Sequence, residues 1–263
     1  MKKFLPFLNK TPFVPVIRLQ GAIGSSGRSL SDAGLAPLIE RAFSKGKPAA
    51  VALVINSPGG SPVQSSLIAA RIRRLAEEKS IPVHAFVEDV AASGGYWLAV
   101  AADDIWVDAS SIIGSIGVIS AGFGFADFIE KHGIERRIHT AGRSKGFGDP
   151  FRPQSEEDIA RLKALLEPLH DNFIAHVKAR RGAKLADADL FNADIWLGQK
   201  AVDLGLVDGI AHLKPKLQAL YGKKVRLQPL GQKKGLLRRF GMQAVEGAFA
   251  SVEERALMAR YGL

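Results

Sequence analysis

The stretch AAVALVINSPGG, residues 49–60, decides the fold: seven apolar residues in a row are followed by Asn56, Ser57, a proline and two glycines. A continuous, valine-rich run of this length is typical of a strand that is buried on both faces of a parallel sheet. The glycines mark a tight turn. Ser61 and Pro62 then supply an N-cap and a proline at the first helical position, so a helix is predicted to about Lys79. The stretch therefore predicts a strand–turn–helix unit.

Strands and helices alternate on both sides of this unit. Before it, Val14–Leu19 is predicted as a strand and Ser31–Lys45 as a helix; after it, Pro82–Glu88 is predicted as a strand and Ser93–Ala102 as a helix. Further short strands are predicted at residues 105–107 and 116–120. Such alternation indicates an α/β fold with a largely parallel sheet and flanking helices.

The second half of the chain contains a long glycine-rich loop. A helix is predicted at Phe125–His132 and a strand at Ile134–Thr140, and the loop follows at Ala141–Pro153. A capping sequence that begins at Ser155 starts a long amphipathic helix to about Arg181. A short helix and turn are predicted at residues 198–208. Loops of this length inside a compact domain are commonly functional.

Composition narrows the chemistry. The chain has 263 residues, 47% of them hydrophobic, which is enough for one main domain. It has no cysteine, and this excludes a thiol nucleophile, thiolate zinc sites and iron–sulfur clusters. No metal and no cofactor is expected. We predict an N-terminal extension at residues 1–13, a catalytic domain at 14–221 and a basic C-terminal appendage at 222–263.

The positive charge is concentrated at the end of the chain. The formal net charge is +10, and residues 211–263 hold eleven Lys or Arg against three Glu. Nucleic-acid binding is not expected, because this segment lacks interleaved aromatic residues. Lys233, Lys234, Arg238 and Arg239 alternate with apolar residues, so the tail could dock peripherally on an anionic membrane, the alternative being a solvated or subunit-packing tail.

The N-terminus is predicted to be neither a signal peptide nor a membrane span. Its apolar run is broken by Pro6 and ends at Asn9, which makes it too short for either role. The longest uncharged stretch, residues 109–126, is rich in glycine and serine and fits strands and turns better than a membrane helix. A cytoplasmic protein is therefore expected, with peripheral membrane contact as the one further option.

The candidate nucleophile is Ser93, in the sequence AASGG at residues 91–95. A serine at a tight strand-to-helix turn presents its hydroxyl at the head of the sheet, as in a nucleophile elbow. The N–H of Gly94 would then be one oxyanion donor, and an N–H of the Gly59-Gly60 turn could be the second. One such glycine cluster alone would more often be a plain turn; two of them, one strand apart, indicate a site.

A serine nucleophile needs a base. No histidine occurs between Ala85 and Lys131, and His132 and His139 have no evident acidic partner. A lysine can be the base only as a neutral amine, a form that burial favours. Lys145, in the glycine-rich loop with Ser144 beside it and Phe147 close by, is the candidate. Taken alone, a loop lysine would be a solvated charge.

Four motifs in order resemble the SppA and SohB signal peptide peptidase family: INSPGG at 55–60, VAASGGY at 90–96, GSIGV at 114–118 and GRSK at 142–145. The likeness runs from about Val14 to Ile210. It implies a ClpP- and crotonase-like α/β spiral of ββα units, a Ser-Lys dyad of Ser93 and Lys145, and Gly60 as the oxyanion glycine. It also implies peptide substrates and a ring-shaped homo-oligomer. In these motifs, and at the residue directly after the first one, we predict substrate contacts: Gly59, Ser61, Tyr96 and Ser115.

Two departures from the family bear on the role of the chain. Members typically have a membrane anchor or export signal ahead of the domain, and none is predicted here, so the cleavage of signal-peptide remnants is less directly implied than peptidase chemistry. The chain also has one copy of the domain where double-length members have two. Neighbouring subunits would therefore complete a shared active site.

Other functions remain open at the level of sequence. A ClpP-like Ser-His-Asp peptidase would need a histidine about twenty-five residues after Ser93, where none occurs. A crotonase-like acyl-CoA enzyme would use the same oxyanion geometry without a serine nucleophile. A non-catalytic scaffold is disfavoured by the presence of both Ser93 and Lys145. A capsid- or maturation-type protease, acting on a phage or host protein, is a further alternative.

Overall fold

The chain forms an eight-stranded, largely parallel sheet with helices on both faces. The structure is a computed structural model, and it describes residues 11–25, 29–142, 144–231 and 258–263. The main strand order is β6-β5-β3-β2-β1-β8, and β4 pairs with β3 and β7. Among the strands of the described residues, only β6 runs antiparallel to its neighbour, β5. The strands are β1 (Phe13–Gln20), β2 (Val51–Ser57), β3 (Val83–Ala92), β4 (Asp104–Val107), β5 (Ile112–Gly114), β6 (Ile195–Leu197), β7 (Gly209–Ile210) and β8 (Arg226–Leu230).

The helices connect these strands and cover the sheet. They are α1 (Asp32–Ser44), α2 (Pro62–Lys79), α3 (Gly94–Ala99), α4 (Ala126–Lys131), α5 (Glu156–Arg181), α6 (Gly198–Asp203) and α7 (Leu213–Tyr221). A short 3-10 turn, Gly182–Lys184, follows α5. The predicted α/β fold class is confirmed.

Strand β2 is buried on both faces, as its continuous apolar sequence requires. Val51, Leu53 and Ile55 pack into the main core on one face. Ala52 and Val54 on the other face join a smaller core that includes Leu217 of α7. Because β1, β2 and β3 are parallel, their carboxyl ends lie at one edge of the sheet. Ligands of parallel sheets bind at such edges.

Helix boundaries follow the capping signals. Ser61 accepts a hydrogen bond from Gln64 N at the start of α2, with Pro62 at the first helical position. Ser155 and Asp158 form a complete capping box at the start of α5. Both boundaries match the positions predicted from sequence, because caps depend on residues only three positions apart.

Three sequence predictions are corrected. Residues 222–230 are not part of an appendage, because β8 pairs in parallel with β1 and extends the sheet beyond the predicted boundary. The predicted strands at 116–120 and 134–140 do not form; residues 134–140 are exposed and have no sheet neighbour. The predicted membrane-docking residues of the tail (Lys233, Lys234, Arg238 and Arg239) lie outside the described residues, and so do residues 1–10 of the extension predicted at 1–13. The last residue of that predicted extension, Phe13, is the first residue of β1. Among the described residues, no helix has the length and apolar character to span a membrane.

Candidate active site

Ser93 lies at the turn between β3 and α3, at the carboxyl edge of the sheet. Its backbone has φ 52° and ψ −122°, which a residue other than glycine rarely adopts. A conformation of this kind costs about 1–3 kcal/mol and persists only where the surroundings enforce it. Here the Ser93 N–H donates to Gly114 O at 2.8 Å, and Trp97 N donates to Ser93 O at 3.0 Å. The half-buried serine is thus held in the strained geometry of an elbow.

Glycines allow the turn after β2 to touch this elbow. A Cβ on Gly59, whose φ is +100°, would lie 2.8 Å from Ser93 Cβ and 2.8 Å from Gly94 N. A Cβ on Gly95 would lie 2.4 Å from the main-chain oxygen of Ser57. Both contacts are impossible for a side chain, so the two clusters predicted to meet do meet, and only glycine permits it.

The main-chain N–H groups of the glycines around Ser93 differ in whether they already have an acceptor. The Gly59 N–H donates to Ser57 Oγ at 3.2 Å, so this donor is occupied. Within the described part of the chain, neither Gly60 N nor Gly94 N donates to a protein acceptor. Gly94 is the first residue of α3, where helical N–H groups have no intrahelical partner. Gly60 and Gly94 both line the cavity that contains Ser93.

That cavity has a volume of about 780 Å³ and a largely neutral lining. Its walls include small and apolar residues from the carboxyl ends of several strands, and Leu169 and Phe173 from α5. Arg260 and Tyr261 are the ionisable residues among the described ones that line it. No described lining residue is a histidine, a lysine or a carboxylate. The cavity, as formed by the described residues of one chain, therefore offers Ser93 none of these side chains as a base.

The predicted substrate residues divide into two groups. Ser61 and Ser115 line the cavity, and Gly59 packs against the elbow. Tyr96 does not line it: its side chain is fully buried and its hydroxyl donates to Leu206 O at 2.7 Å. Burial also raises the pKa of Tyr96. Tyr96 is thus a core residue of α3, and this corrects its predicted substrate contact.

Three histidines, on β3 and α5, have partners other than Ser93. His84 is buried between Asp104 and Tyr221, at 2.8 Å and 2.6 Å. His170 and His176 on α5 bond to main-chain oxygens, Ile116 O at 3.0 Å and Trp97 O at 3.2 Å. None of these side chains lines the cavity. A histidine-based mechanism accordingly finds no support in this part of the chain.

Lys145 is exposed on an arm that we define as residues 117–154. It occupies a tight turn in which its N–H donates to Gly142 O at 3.1 Å. Arg152 holds this turn in place, because it donates to Gly146 O at 2.9 Å and pairs with Asp158 of α5 at 2.6 Å. Lys145 does not line the cavity of its own chain. The structure thus displays Lys145 outward and does not bring it to Ser93 within one chain.

The arm exposes a large apolar surface. Its helix α4 has no buried residue, and Phe123 is 82% exposed. The limbs of the arm pair with each other, since Phe125 N donates to Pro150 O at 2.6 Å and the Phe125 and Phe151 rings stack. Large exposed apolar patches mark interaction sites. The other large apolar residues exposed on the arm are Ile119, Phe128, Ile134 and Ile138.

Two supports of the site were not predicted from the sequence. Ile23 holds the glycine turn, because Ile23 N donates to Gly59 O and Ser61 N donates to Ile23 O, each at 2.8 Å. Asp194 O accepts from Ser115 N at 2.7 Å and so fixes another wall. A signal for the first existed in the glycines and serines that follow β1. The bond between Ser115 and Asp194 joins two segments that are far apart in the chain, so no local sequence pattern could predict it.

Comparison with known proteins identifies relatives across most of the chain. A protein of Brucella abortus, named Na(+)/H(+) antiporter NhaA, is 48% identical over 95% of this chain but matches along only 37% of its own length. Most of that protein therefore lies outside the part that matches this chain. A protein of Synechocystis sp. named as a protease is 30% identical over 85% of this chain and 80% of its own. A protein of Haemophilus influenzae named as protease SohB is 32% identical over 75% of this chain and 56% of its own.

The chain spans only part of several curated relatives. It covers 37% of the length of the Brucella protein and 54% and 51% of the lengths of two others. A solved structure supports the fold: the 1510-N membrane-bound stomatin-specific protease, as a lysine-to-alanine mutant in complex with a substrate peptide. It aligns with a TM-score of 0.55 at 16% identity, over 86% of this chain and 94% of that one. The family model for peptidase family S49 matches residues 76–224, more than half of the sequence. The chain belongs to peptidase family S49, with relatives of the SppA and SohB type.

Proposed function

We propose that this protein is a serine endopeptidase in which Ser93 is the nucleophile and Lys145 of a neighbouring copy is the general base. One observation carries the proposal. A strained serine stands in a cavity beside two free N–H groups, and the described lining offers it no base. Lys145 is exposed on an arm with a large apolar surface. A second copy that covers this surface would bury the lysine next to a serine.

The reaction follows from these groups. Lys145 takes the proton of Ser93 Oγ, and Oγ attacks the carbonyl carbon of the scissile peptide. The negative charge that develops on the carbonyl oxygen is stabilised by the N–H groups of Gly60 and Gly94. The lysine ammonium then gives its proton to the leaving amine, and the C–N bond breaks. Water, activated by the same lysine, attacks the acyl-enzyme and releases the carboxylic acid and Ser93.

The arm provides the means of sharing the site. A lysine is a base only when it is neutral, and a dry interface favours the neutral amine over the ammonium. In a cyclic assembly each interface is heterologous, so every copy can pass its arm to the next copy around the ring. The exposed phenylalanines of the arm suit such an interface, because buried interface centres are rich in aromatic residues. The ring-shaped homo-oligomer is part of this proposal.

The substrate is an extended peptide with small or apolar side chains at the cleavage site. Ile23, Trp97 and Phe173 line the cavity and provide apolar contacts. Because the described lining includes no carboxylate, the cavity offers no counter-charge to a basic side chain. Apolar peptides such as signal-peptide remnants fit this surface. If the basic tail docks on an anionic membrane, the enzyme lies close to such peptides. This docking stays a prediction.

Labelling with a fluorophosphonate tests the proposal and separates it from a crotonase-like acyl-CoA enzyme. Only an activated serine reacts with this probe. We expect a single covalent adduct, located by mass spectrometry on the peptide that contains Ser93, at a protein concentration where light scattering shows an assembly. Ser93→Ala should remove the adduct. The absence of an adduct on the assembled wild-type protein, or an adduct at another serine, would contradict the proposal.

A further inference from the structure

The helix that follows Ser93 is short and is held at its far end by side chains from two other helices. Helix α3 has six residues and ends at Ala99, and the carbonyls of Val100, Ala101 and Ala102 lie beyond that end, where no further helical turn supplies N–H partners. Buried carbonyls of this kind need partners. In this protein the partners of the carbonyls of residues 97, 100, 101 and 102 include cationic and imidazole side chains.

Arg180 of α5 makes the central contacts. Its Nε donates to Val100 O at 3.0 Å and its Nη2 donates to Ala102 O at 2.9 Å. The guanidinium thus bonds two carbonyls at once, a geometry that a lysine cannot reproduce. One turn earlier on α5, the His176 ring stacks on Trp97 and its Nε2 lies 3.2 Å from Trp97 O.

A second arginine and an aspartate complete this cluster. Arg73 of α2 donates from Nη1 to Ala101 O at 3.3 Å and to Asp103 Oδ1 at 2.8 Å. Asp103 also accepts from Arg180 at 3.4 Å and, through its other oxygen, from Val83 N at 2.8 Å. Val83 is the first residue of β3, the strand that leads to Ser93. The cluster therefore ties the end of α3 to the start of β3.

This connection matters because Ser93 is strained. Its unusual φ and ψ hold only while β3 and α3 keep their relative positions. A small axial shift of α3 would move the Gly94 N–H and Ser93 Oγ together, relative to Gly60 on the neighbouring turn. Misplacement of reacting groups by about 1 Å can lower a rate about 100-fold.

We propose that Arg180 is a positioning residue for Ser93, acting through the carbonyls at the end of α3 with Arg73 and His176 as its supports. This inference rests on the proposed serine peptidase function. Arg180 does not line the cavity and so is not placed to contact a substrate there. It acts on the rate of the chemical step and leaves peptide binding largely unchanged.

The test compares Arg180→Gln and Arg180→Lys with wild type in peptide hydrolysis and in the rate of fluorophosphonate labelling. We expect both variants to lower kcat about 10- to 100-fold with KM within about twofold. The lysine variant keeps the charge but not the two-carbonyl geometry, so it should match the glutamine variant within about threefold. Arg74→Gln is the control, because the contact that Arg74 makes among the described residues is an exposed pair with Glu78 on α2. It should retain wild-type kcat.

Thermal melts show which variants are folded at the assay temperature. If the glutamine variant is unfolded there, the lysine variant alone is compared with wild type. A folded variant with wild-type kcat, a full rescue by lysine, or a rise in KM alone would overturn the positioning role. A wild-type protein that neither hydrolyses peptides nor takes the label would instead overturn the proposed function itself. The two failures are therefore distinguishable.

Discussion

Ser93→Ala will lower kcat for peptide hydrolysis by at least about a thousandfold without unfolding the protein. In the proposed mechanism the variant loses the group that forms the acyl-enzyme, and the proposed oxyanion donors and the binding cavity would supply a small residual rate. The fold should persist, because Ser93 Oγ makes no capping bond to α3 and alanine adds no atom at the turn. Mass spectrometry of a peptide library after digestion gives the measurement.

The matched control for this variant is Ser44→Ala. Ser44 lies at the end of α1, where its hydroxyl donates to Glu40 O in the same helix. This substitution removes a serine hydroxyl far from the cavity and should leave the cleavage pattern and rate unchanged. Turnover by Ser93→Ala above about a tenth of the wild-type rate, with a native circular dichroism spectrum, would show that Ser93 is not the nucleophile.

Lys145→Arg will be as inactive as Lys145→Ala, each at least about 100-fold below wild type in kcat. Arginine keeps the positive charge and nearly the length of lysine, but a guanidinium does not give up its proton in proteins and cannot act as a base. A lysine that only anchored a substrate or a neighbouring subunit by its charge would be replaced well by arginine. The comparison therefore separates a base from an anchor.

Lys79→Arg provides the control for this pair, because Lys79 is an exposed lysine at the end of α2. It should be fully active. Light scattering should show the same assembly for wild type and for both Lys145 variants, so that a lost interface is not mistaken for a lost base. Lys145→Arg with more than about a tenth of wild-type kcat would contradict a general-base role.

Local sequence signals predicted the centre of the fold and much of the site. The run at 49–60 gave β2, its turn and the start of α2, because burial, glycine and capping act over a few residues. The capping box at Ser155 gave the start of α5 in the same way. The meeting of Gly59 with Ser93 could be expected because parallel strands end at one edge of the sheet.

Features that depend on distant partners were not predictable in this way. Strand β8 is a strand because β1 offers it a free edge, although residues 226–230 lie in a basic segment. Tyr96 belongs to a motif next to Ser93, but the short helix α3 turns it into the core toward Leu206. The apolar residues of the arm resemble core residues in sequence, and only the structure shows that they face outward.

The most direct test of the shared active site is complementation between two inactive variants. Ser93→Ala and Lys145→Ala are mixed under conditions that exchange subunits, and exchange is verified by mass spectrometry of differently labelled copies. If Lys145 acts on the Ser93 of a neighbour, some interfaces in the mixed assembly combine an intact serine with an intact lysine. We then expect peptide hydrolysis to return to a substantial fraction of the wild-type rate. No recovery despite verified exchange would contradict a site shared between subunits.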